Sequence, residues 1–166
     1  LFGSYGGVER KGLAVIDIPS GKATALDLRV SGHVHALALH EQDLLIGGSF
    51  FEVAGRERRG LAAVDTRTGD VLPWAPTVRS PMYNGIVRAM EIDGAKLYVG
   101  GDFTNATGVA RSNLAALDLM TGETLPWRAD ANGPVFKLAK SGDLLVVGGA
   151  FTEIGAQPRS RLAALD

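Results

Sequence analysis

Apolar residues in this chain recur in short alternating runs separated by Gly and Asp. In the clearest stretch Val87-Arg88-Ala89-Met90 alternates, a turn falls at Asp93-Gly94, and Lys96-Leu97-Tyr98-Val99 closes on Gly100-Gly101. A loop through Phe103 and Gly108 leads to Arg111, then to Leu114-Ala115-Ala116-Leu117, a turn over Asp118–Gly122, and Glu123-Thr124-Leu125-Pro126-Trp127. Alternation, β-branched and aromatic content, and Gly or Asp at the breaks predict four consecutive strands, here a, b, c and d. No segment sustains an apolar period of 3.6, so helices are not expected.

The same pattern returns along the chain. Arg, two residues, Leu-Ala, two residues and Asp occur at Arg10–Asp17, Arg58–Asp65, Arg111–Asp118 and Arg159–Asp166, with the Asp residues 48, 53 and 48 apart. Val34, Val87 and Val135 each precede the first Gly of Gly47-Gly48, Gly100-Gly101 and Gly148-Gly149 by 13 positions. Gly21, Gly69 and Gly122 follow the Asp by four, and Trp74 and Trp127 follow it by nine, a place Leu26 takes in the first copy. A period near 50 with four antiparallel strands per unit predicts β-propeller blades. The expected fold is all-β, one domain over 1–166, with units at about 1–30, 31–78, 84–131 and 132–166. In the first unit, strand b is expected from Leu1, c over Gly12–Ile16 and d over Thr24–Leu28, with a shortened b–c loop. The last unit supplies a, b and c. The count is about three and a half blades, whereas closed propellers have roughly four to eight. An open arc leaves apolar faces uncovered. The chain is therefore expected to be an arc of a larger closed propeller, completed by further blades of the same protein or by a second copy.

Most repeated residues have structural expectations. An Asp at the end of strand c can accept backbone N–H bonds two and three residues on, while the following Gly takes positive φ; this covers Asp17, Asp65, Asp118 and Asp166. The double Gly after strand b admits a close backbone approach or a bulge. Proline in Leu-Pro-Trp would interrupt a ladder, placing strand d at the blade edge. Arg10, Arg58, Arg111 and Arg159 precede strand c at the b–c end, and the Asp residues close it at the other, roughly 20 Å away if extended. An Arg–Asp pair within one copy is therefore not expected. The Arg residues should satisfy carbonyls of the b–c loop or pack on Phe50, Phe103, Phe151 or the strand-d Trp.

Composition narrows the function classes. Charged residues are 21% of the 166 and the formal net charge is −1, so no basic field holds a phosphate backbone and nucleic acid is not an expected partner. The strongest apolar run, Leu144–Val147, is strand-sized, and membrane insertion is not expected. Cysteine is absent, which removes disulfides and thiolate metal sites. The chain opens at Leu1 without a signal-peptide pattern and reads as a piece of something longer. Asn105-Ala106-Thr107 matches a glycosylation sequon.

The string Leu-Tyr-Val-Gly-Gly-Asp-Phe-Thr, then Gly-x-x-Arg-x-x-Leu-Ala-Ala-Leu-Asp, then Thr-Gly-Glu-x-Leu-Pro-Trp resembles the delta-sixty repeat family and the kelch-like repeats of a fungal cortical polarity marker. The resemblance covers essentially the whole chain. It implies a propeller on a large, mostly bacterial, exported or cell-surface protein, and no established activity. Ala116-Leu117-Asp118-x-x-Thr121-Gly122-Glu123 followed by Trp127 is also similar to the tryptophan-docking repeat of quinoprotein dehydrogenases. Here Pro126 moves the Trp one place on, and no adjacent cysteine pair or Asp/Glu/Asn cofactor constellation accompanies it.

Candidate function lies where the repeat breaks. The strand-d-to-strand-a connection is eight residues in two copies and thirteen at Trp74–Val87. The extra residues fall within 78–84, where Arg79, Met82, Tyr83 and Asn84 combine charge, an adaptable apolar group, an aromatic and an amide. Such a mixture suits peptide, glycan or protein contact, and the alternative is a plain spacer between units. His33-Val34-His35 puts two imidazoles on one side of a strand and is a weak metal candidate, since no third ligand stands near in sequence. Asp102 invites a calcium reading, but Ser49 and Ala150 hold its column. No Ser elbow, phosphate loop or isolated carboxylate pair is present. The expectation is a non-catalytic scaffold or adhesion module, extracellular or at the cell surface, with no cofactor, binding an extracellular protein or glycan through the b–c and d–a loop face. The competing expectation is a propeller enzyme, quinoprotein-like or a hydrolase, whose site is completed by blades outside this chain.

Overall fold

A computed structural model describes residues 4–166. The fold is all-β. In chain order the strands are β1 (Ser4–Tyr5), β2 (Val8–Glu9), β3 (Val30–His40), β4 (Asp43–Val53), β5 (Arg56–Glu57), β6 (Leu61–Asp65), β7 (Val78–Arg79), β8 (Ile86–Asp93), β9 (Lys96–Asp102), β10 (Asn105–Ala106), β11 (Val109–Ala110), β12 (Leu114–Asp118), β13 (Val135–Ser141), β14 (Leu144–Gly149), β15 (Glu153–Ile154), β16 (Gln157–Pro158) and β17 (Leu162–Leu165). Three antiparallel sheets dominate, ordered β3-β4-β6, β8-β9-β12 and β13-β14-β17. These are strands a, b and c of the second, third and fourth units.

Each sheet is buried according to the alternation of its side chains. Leu97, Val99, Ala115 and Leu117 of the third unit pack with Leu45, Leu61 and Ala63 of the second. Tyr98, Leu114 and Ala116, which point to the other side, pack with Val135, Leu145, Val147 and Ala163 of the fourth. Ile46, Phe50, Ala62 and Val64 of the second meet Leu13, Leu28 and Val30. The core is thus a series of interfaces between consecutive units, and the period-2 pattern feeds two neighbours at once.

The paired glycines divide the work between those interfaces. A Cβ on Gly47 would lie 2.8 Å from Val87 Cγ1, and one on Gly100 would lie 2.5 Å from Val135 Cγ1. Gly47 and Gly100 therefore each seat the strand-a Val of the next unit. The second Gly faces its own strand a: a Cβ on Gly48, Gly101 or Gly149 would fall on the carbonyl oxygen of His33, Ile86 or Pro134. At that point strand a carries an extra residue, between Val34 and Ala36, Val87 and Ala89, and Val135 and Lys137. The bulge and the close approach expected from Gly-Gly both occur.

Strand d departs from expectation. It is reduced to one antiparallel bridge per unit, at Ile16↔Ala23, Val64↔Val71 and Leu117↔Thr124. Strands a, b and c therefore form the sheets without d, and among the described residues the only fourth strand is the two-residue β5 beside β4. The cause is the repeated Arg. Arg10, Arg58 and Arg111 each donate one guanidinium N–H to the carbonyl of the preceding residue (Glu9, Glu57, Ala110) and another to a strand-d carbonyl (Thr24, Leu72, Leu125). The second carbonyl would otherwise extend the ladder. Pro73 and Pro126 follow it directly and bring no N–H. Arg159 keeps only the bond to Pro158.

The b–c loop also differs. It is a two-residue ribbon, formed by β10 with β11, β15 with β16, and the end of β4 with β5. The central residues Ala54-Gly55, Thr107-Gly108 and Gly155-Ala156 both have positive φ, the mark of a type I′ hairpin turn. Ser4–Glu9 is the same ribbon, turning at Gly6-Gly7, so the ribbon recurs in the first unit; the start of its loop, expected to be shortened, lies outside the described residues. Leu1, where strand b of that unit is expected, lies outside the described residues. Strands c and d of that unit meet at the Ile16–Ala23 bridge, and among the described residues no strand b lies beside Leu13–Ile16.

The glycine geometry predicts a position-dependent cost for one chemical change. Gly101→Ala, set against a backbone carbonyl, should lose at least about 1–3 kcal/mol of unfolding free energy. Gly148→Ala, whose added Cβ would meet nothing closer than 3.9 Å, should stay within about 0.5 kcal/mol of the parent. Urea denaturation of the two variants checks the difference; equal costs would refute the close approach of Gly101 to its own strand a.

Candidate functional site

The short turns and the β-ribbons lie at opposite ends of the sheets. At the turn end, the Asp residues cap their own loops. Asp118 Oδ1 accepts the Met120 and Thr121 N–H groups at 3.0 and 2.8 Å, Asp65 Oδ1 accepts those of Arg67 and Thr68 at 2.7 and 3.1 Å, and Asp17 Oδ2 accepts that of Ser20 at 2.9 Å. Gly21, Gly69 and Gly122 each donate their N–H to the Asp carbonyl at 2.8 Å. These bonds hold all three carboxyls below the usual range, the Ser20 hydroxyl contributing most at Asp17 and backbone N–H groups most at Asp65 and Asp118. Asp166 ends the sequence. The ion pairs among the described residues join close or cross-unit neighbours, such as Arg128–Asp130 and Lys140–Asp93; none joins the Arg and Asp of one copy. Trp74 packs on the interface of the second and third units, and Trp127 on that of the third and fourth.

At the ribbon end the inserted connection is ordered by its neighbours. β7 pairs with β10, so Arg79 sits opposite Asn105, and the Thr104 N–H donates to the Arg79 carbonyl at 2.8 Å. The chain then turns back, with the Ser80 N–H donating to the Tyr83 carbonyl at 3.1 Å and Asn84 bridging Arg79. The four proposed contact residues are thus gathered in one small loop. Met82 is 90% exposed, and Tyr83 is partly exposed. The Asp102 carboxylate beside the Tyr83 hydroxyl pushes its ionisation up. Tyr83, Asn84 and Ile86 border an open hollow with Ser49, Phe50 and Phe51.

Phe51, 57% exposed, belongs to this surface and was not among the sequence candidates. Its signal was available: the Phe-Thr pair of Phe103-Thr104 and Phe151-Thr152 becomes Phe50-Phe51 in the second unit. The first Phe is buried in every case, so the second Phe faces water.

A further row was only half legible. The bulge residues of successive strands a are His35, Arg88 and Phe136. A bulge re-aims the side chain it carries. The Arg88 guanidinium carbon lies 5.6 Å from the centre of the Phe136 ring, a cation–π distance. His35 Nε2 lies 3.1 Å from Ser49 Oγ, and its ring stacks on His33 with centroids 6.0 Å apart. His33 and His35 are therefore together. Among the described residues, no group of three or more His, Asp or Glu side chains gathers to hold a metal ion. No helix is long and apolar enough to cross a membrane.

No protein-family model and no curated protein matches the chain. Among solved structures it is similar to two computationally designed proteins. Ika4 is 11% identical, with a TM-score of 0.44 over 81% of this chain and 91% of that one. Ika8 is 15% identical, with a TM-score of 0.42 over 88% of this chain and 52% of that one. At these values the likeness carries no argument about function.

Burial first, then the charges of Arg88 and His33, depress the His35 pKa below its ordinary 6.5. Protonation is therefore easier in the unfolded chain. The contribution to stability is complete above about pH 6.5 and declines as pH falls through that value toward the folded-state pKa. Thermal midpoints measured from about pH 8 to pH 5 should fall less in His35→Gln than in the parent. Parallel curves would show that His35 carries no such linkage.

Proposed function

We propose that the chain is an arc of a larger β-propeller and serves as a non-catalytic binding module of an exported or cell-surface protein. Partners would be engaged on the ribbon end, through the 79–84 loop and its surroundings. One observation carries the binding half of this reading: Met82, Tyr83 and Phe51 are exposed on the one surface where the repeat gains an insertion and loses a Thr column. Exposed aromatic and Met side chains with an adjacent Arg and amide supply the anchor-and-rim composition of protein contacts, and the aromatic–amide pairing also suits sugars.

The larger ring is supported by columns that are buried inside the chain and open at its ends. Leu61 and Leu114 are 0% exposed, whereas Leu162 in the same column is 64% exposed. Leu37 and Leu39 are exposed on the second unit, while Met90 in the first of those columns is buried. Further units of the same kind, in the same polypeptide, would cover both faces. The kelch-like and delta-sixty resemblance of the repeat points the same way and is the ground for placing the protein outside the cell.

Two measurements test the two halves. Binding to a displayed peptide library and a glycan array should weaken about tenfold or more in Tyr83→Ala and Met82→Ser with unchanged thermal midpoints, as expected for interface anchors. Retained binding in both variants would remove the loop from the reading. The polypeptide isolated from its source should show a denatured mass well above 17.4 kDa. A stable monomer of 17.4 kDa would overturn the larger ring, and a native mass twice that value would assign the end faces to a second copy instead.

A further inference from the structure

Two corresponding clefts lie at the turn end, one at each interface between consecutive three-stranded sheets, and they differ in the ring that faces the Trp and in the charges on the rim. Between the third and fourth units the cleft is nearly closed on the Tyr98 side of Trp127, with about 20 Å³ free, while a separate hollow of about 320 Å³ lies beside Trp127 against Ile154 and Arg159. The Tyr98 ring fills it, meeting Trp127 edge to face at 5.0 Å and 75°. Its rim is tied by Lys140 Nζ and Asp93 Oδ1 at 2.7 Å. Between the second and third units the cleft holds about 310 Å³. The register explains the difference: Tyr98 pairs with Ala116, and Leu45 pairs with Ala63 in the equivalent place. Leu45 is too short to reach across, so Trp74 lines the open wall with no ring against it. The rim cation is missing too, since Ile92 stands in the column of Lys140 and His40 in that of Asp93. Leu119 backs the cleft, Met120 stands exposed at its mouth, and Asp43 supplies a carboxylate with no ion-pair partner among the described residues.

We propose that this cleft is a binding site for a small aromatic ammonium, a ring carrying an amine on a short alkyl arm. The occupant supplies from outside the two groups that the next interface supplies from within: an aromatic ring against the Trp wall and a cation at a carboxylate on the rim. The volume lies at the lower end of small-molecule sites, and a mostly apolar lining with one charged group is their usual make-up. A flexible Met at the mouth adapts to the ring. Aromatic pairing and a charge-assisted bond each contribute measurably once water is displaced. The site lies at the end opposite the 79–84 loop, so its test is independent of the reading above.

Tyramine is the probe, with p-cresol as the ring alone and butylamine as the cation alone. The readout is the pair of tryptophan indole N–H signals in a proton–nitrogen spectrum, assigned with Trp74→Phe. Tyramine should shift the Trp74 signal saturably and leave that of Trp127 in place. Asp43→Asn should weaken tyramine about five- to tenfold and leave p-cresol unchanged, as a lost charge-assisted bond requires. Leu45→Tyr, which installs the neighbouring unit's own ring, should abolish the shift. If that variant does not fold, Asp43→Asn on the rim still decides the matter. No saturable Trp74 shift, or equal affinity of tyramine in the parent and Asp43→Asn, overturns the proposal; so does undiminished binding to a folded Leu45→Tyr.

Discussion

The distance between consecutive sheets is set where one unit's strand-a Val meets the first Gly of the previous unit's pair. Val87 on Gly47 and Val135 on Gly100 are contacts that leave no room for a Cβ. Everything that distinguishes the units is built on that spacing. It lets alternate residues of one strand reach two different neighbours, so both faces of the β8-β9-β12 sheet are buried. It also forces the second Gly against strand a of its own unit, where the chain bulges. The bulge places His35, Arg88 and Phe136 in equivalent positions on successive units. A packing requirement thus generates a row of chemically varied side chains at fixed positions of the repeat.

The repeated Arg is the second constraint, and it acts across the unit. Its two donated bonds tie the base of the β-ribbon to the start of strand d, 14 residues on. A guanidinium can do this because its donors are fixed in a planar fork. The consequence is a trade: strand d is anchored by a side chain and gives up the ladder that would have made it a regular strand. Trp74 and Trp127, just beyond the anchored carbonyl, are then free to turn toward the next unit and roof its interface.

This explains what was legible in the sequence. Columns that serve the backbone were readable, because one physical cause recurs at fixed spacing: the Asp turn, the Gly pair, the type of each strand. The Arg was read correctly as a carbonyl partner, but its second target was not, since a bond 14 residues away leaves no local pattern. Strand d therefore looked like a strand, its composition being that of one. The ribbon was missed because Ala54, Thr107 and Ala156 take positive φ at positions where their residue type gives no warning. At the candidate site, the inserted loop was visible as a change in spacing. Phe51 and the His35–Arg88–Phe136 row required knowing which residue of a pair, or of a bulge, faces outward.

Function in such an architecture resides in the differences between columns, and those differences are of two kinds. An insertion adds surface, as at 79–84, where the new loop is held by pairing with the neighbouring ribbon. A substitution to a smaller residue subtracts it, as at Leu45, where the fixed spacing of the sheets prevents collapse. Spacing held by the Val87–Gly47 contact cannot close to fill a missing ring, because the sheets would have to pass through atoms already in contact. A cleft made by subtraction in a rigid repeat is consequently preformed, and a ligand that fills it need not pay for reorganising the protein. The same rigidity makes the neighbouring, filled interface an internal reference: what Tyr98, Trp127, Lys140 and Asp93 do there defines what the open cleft lacks.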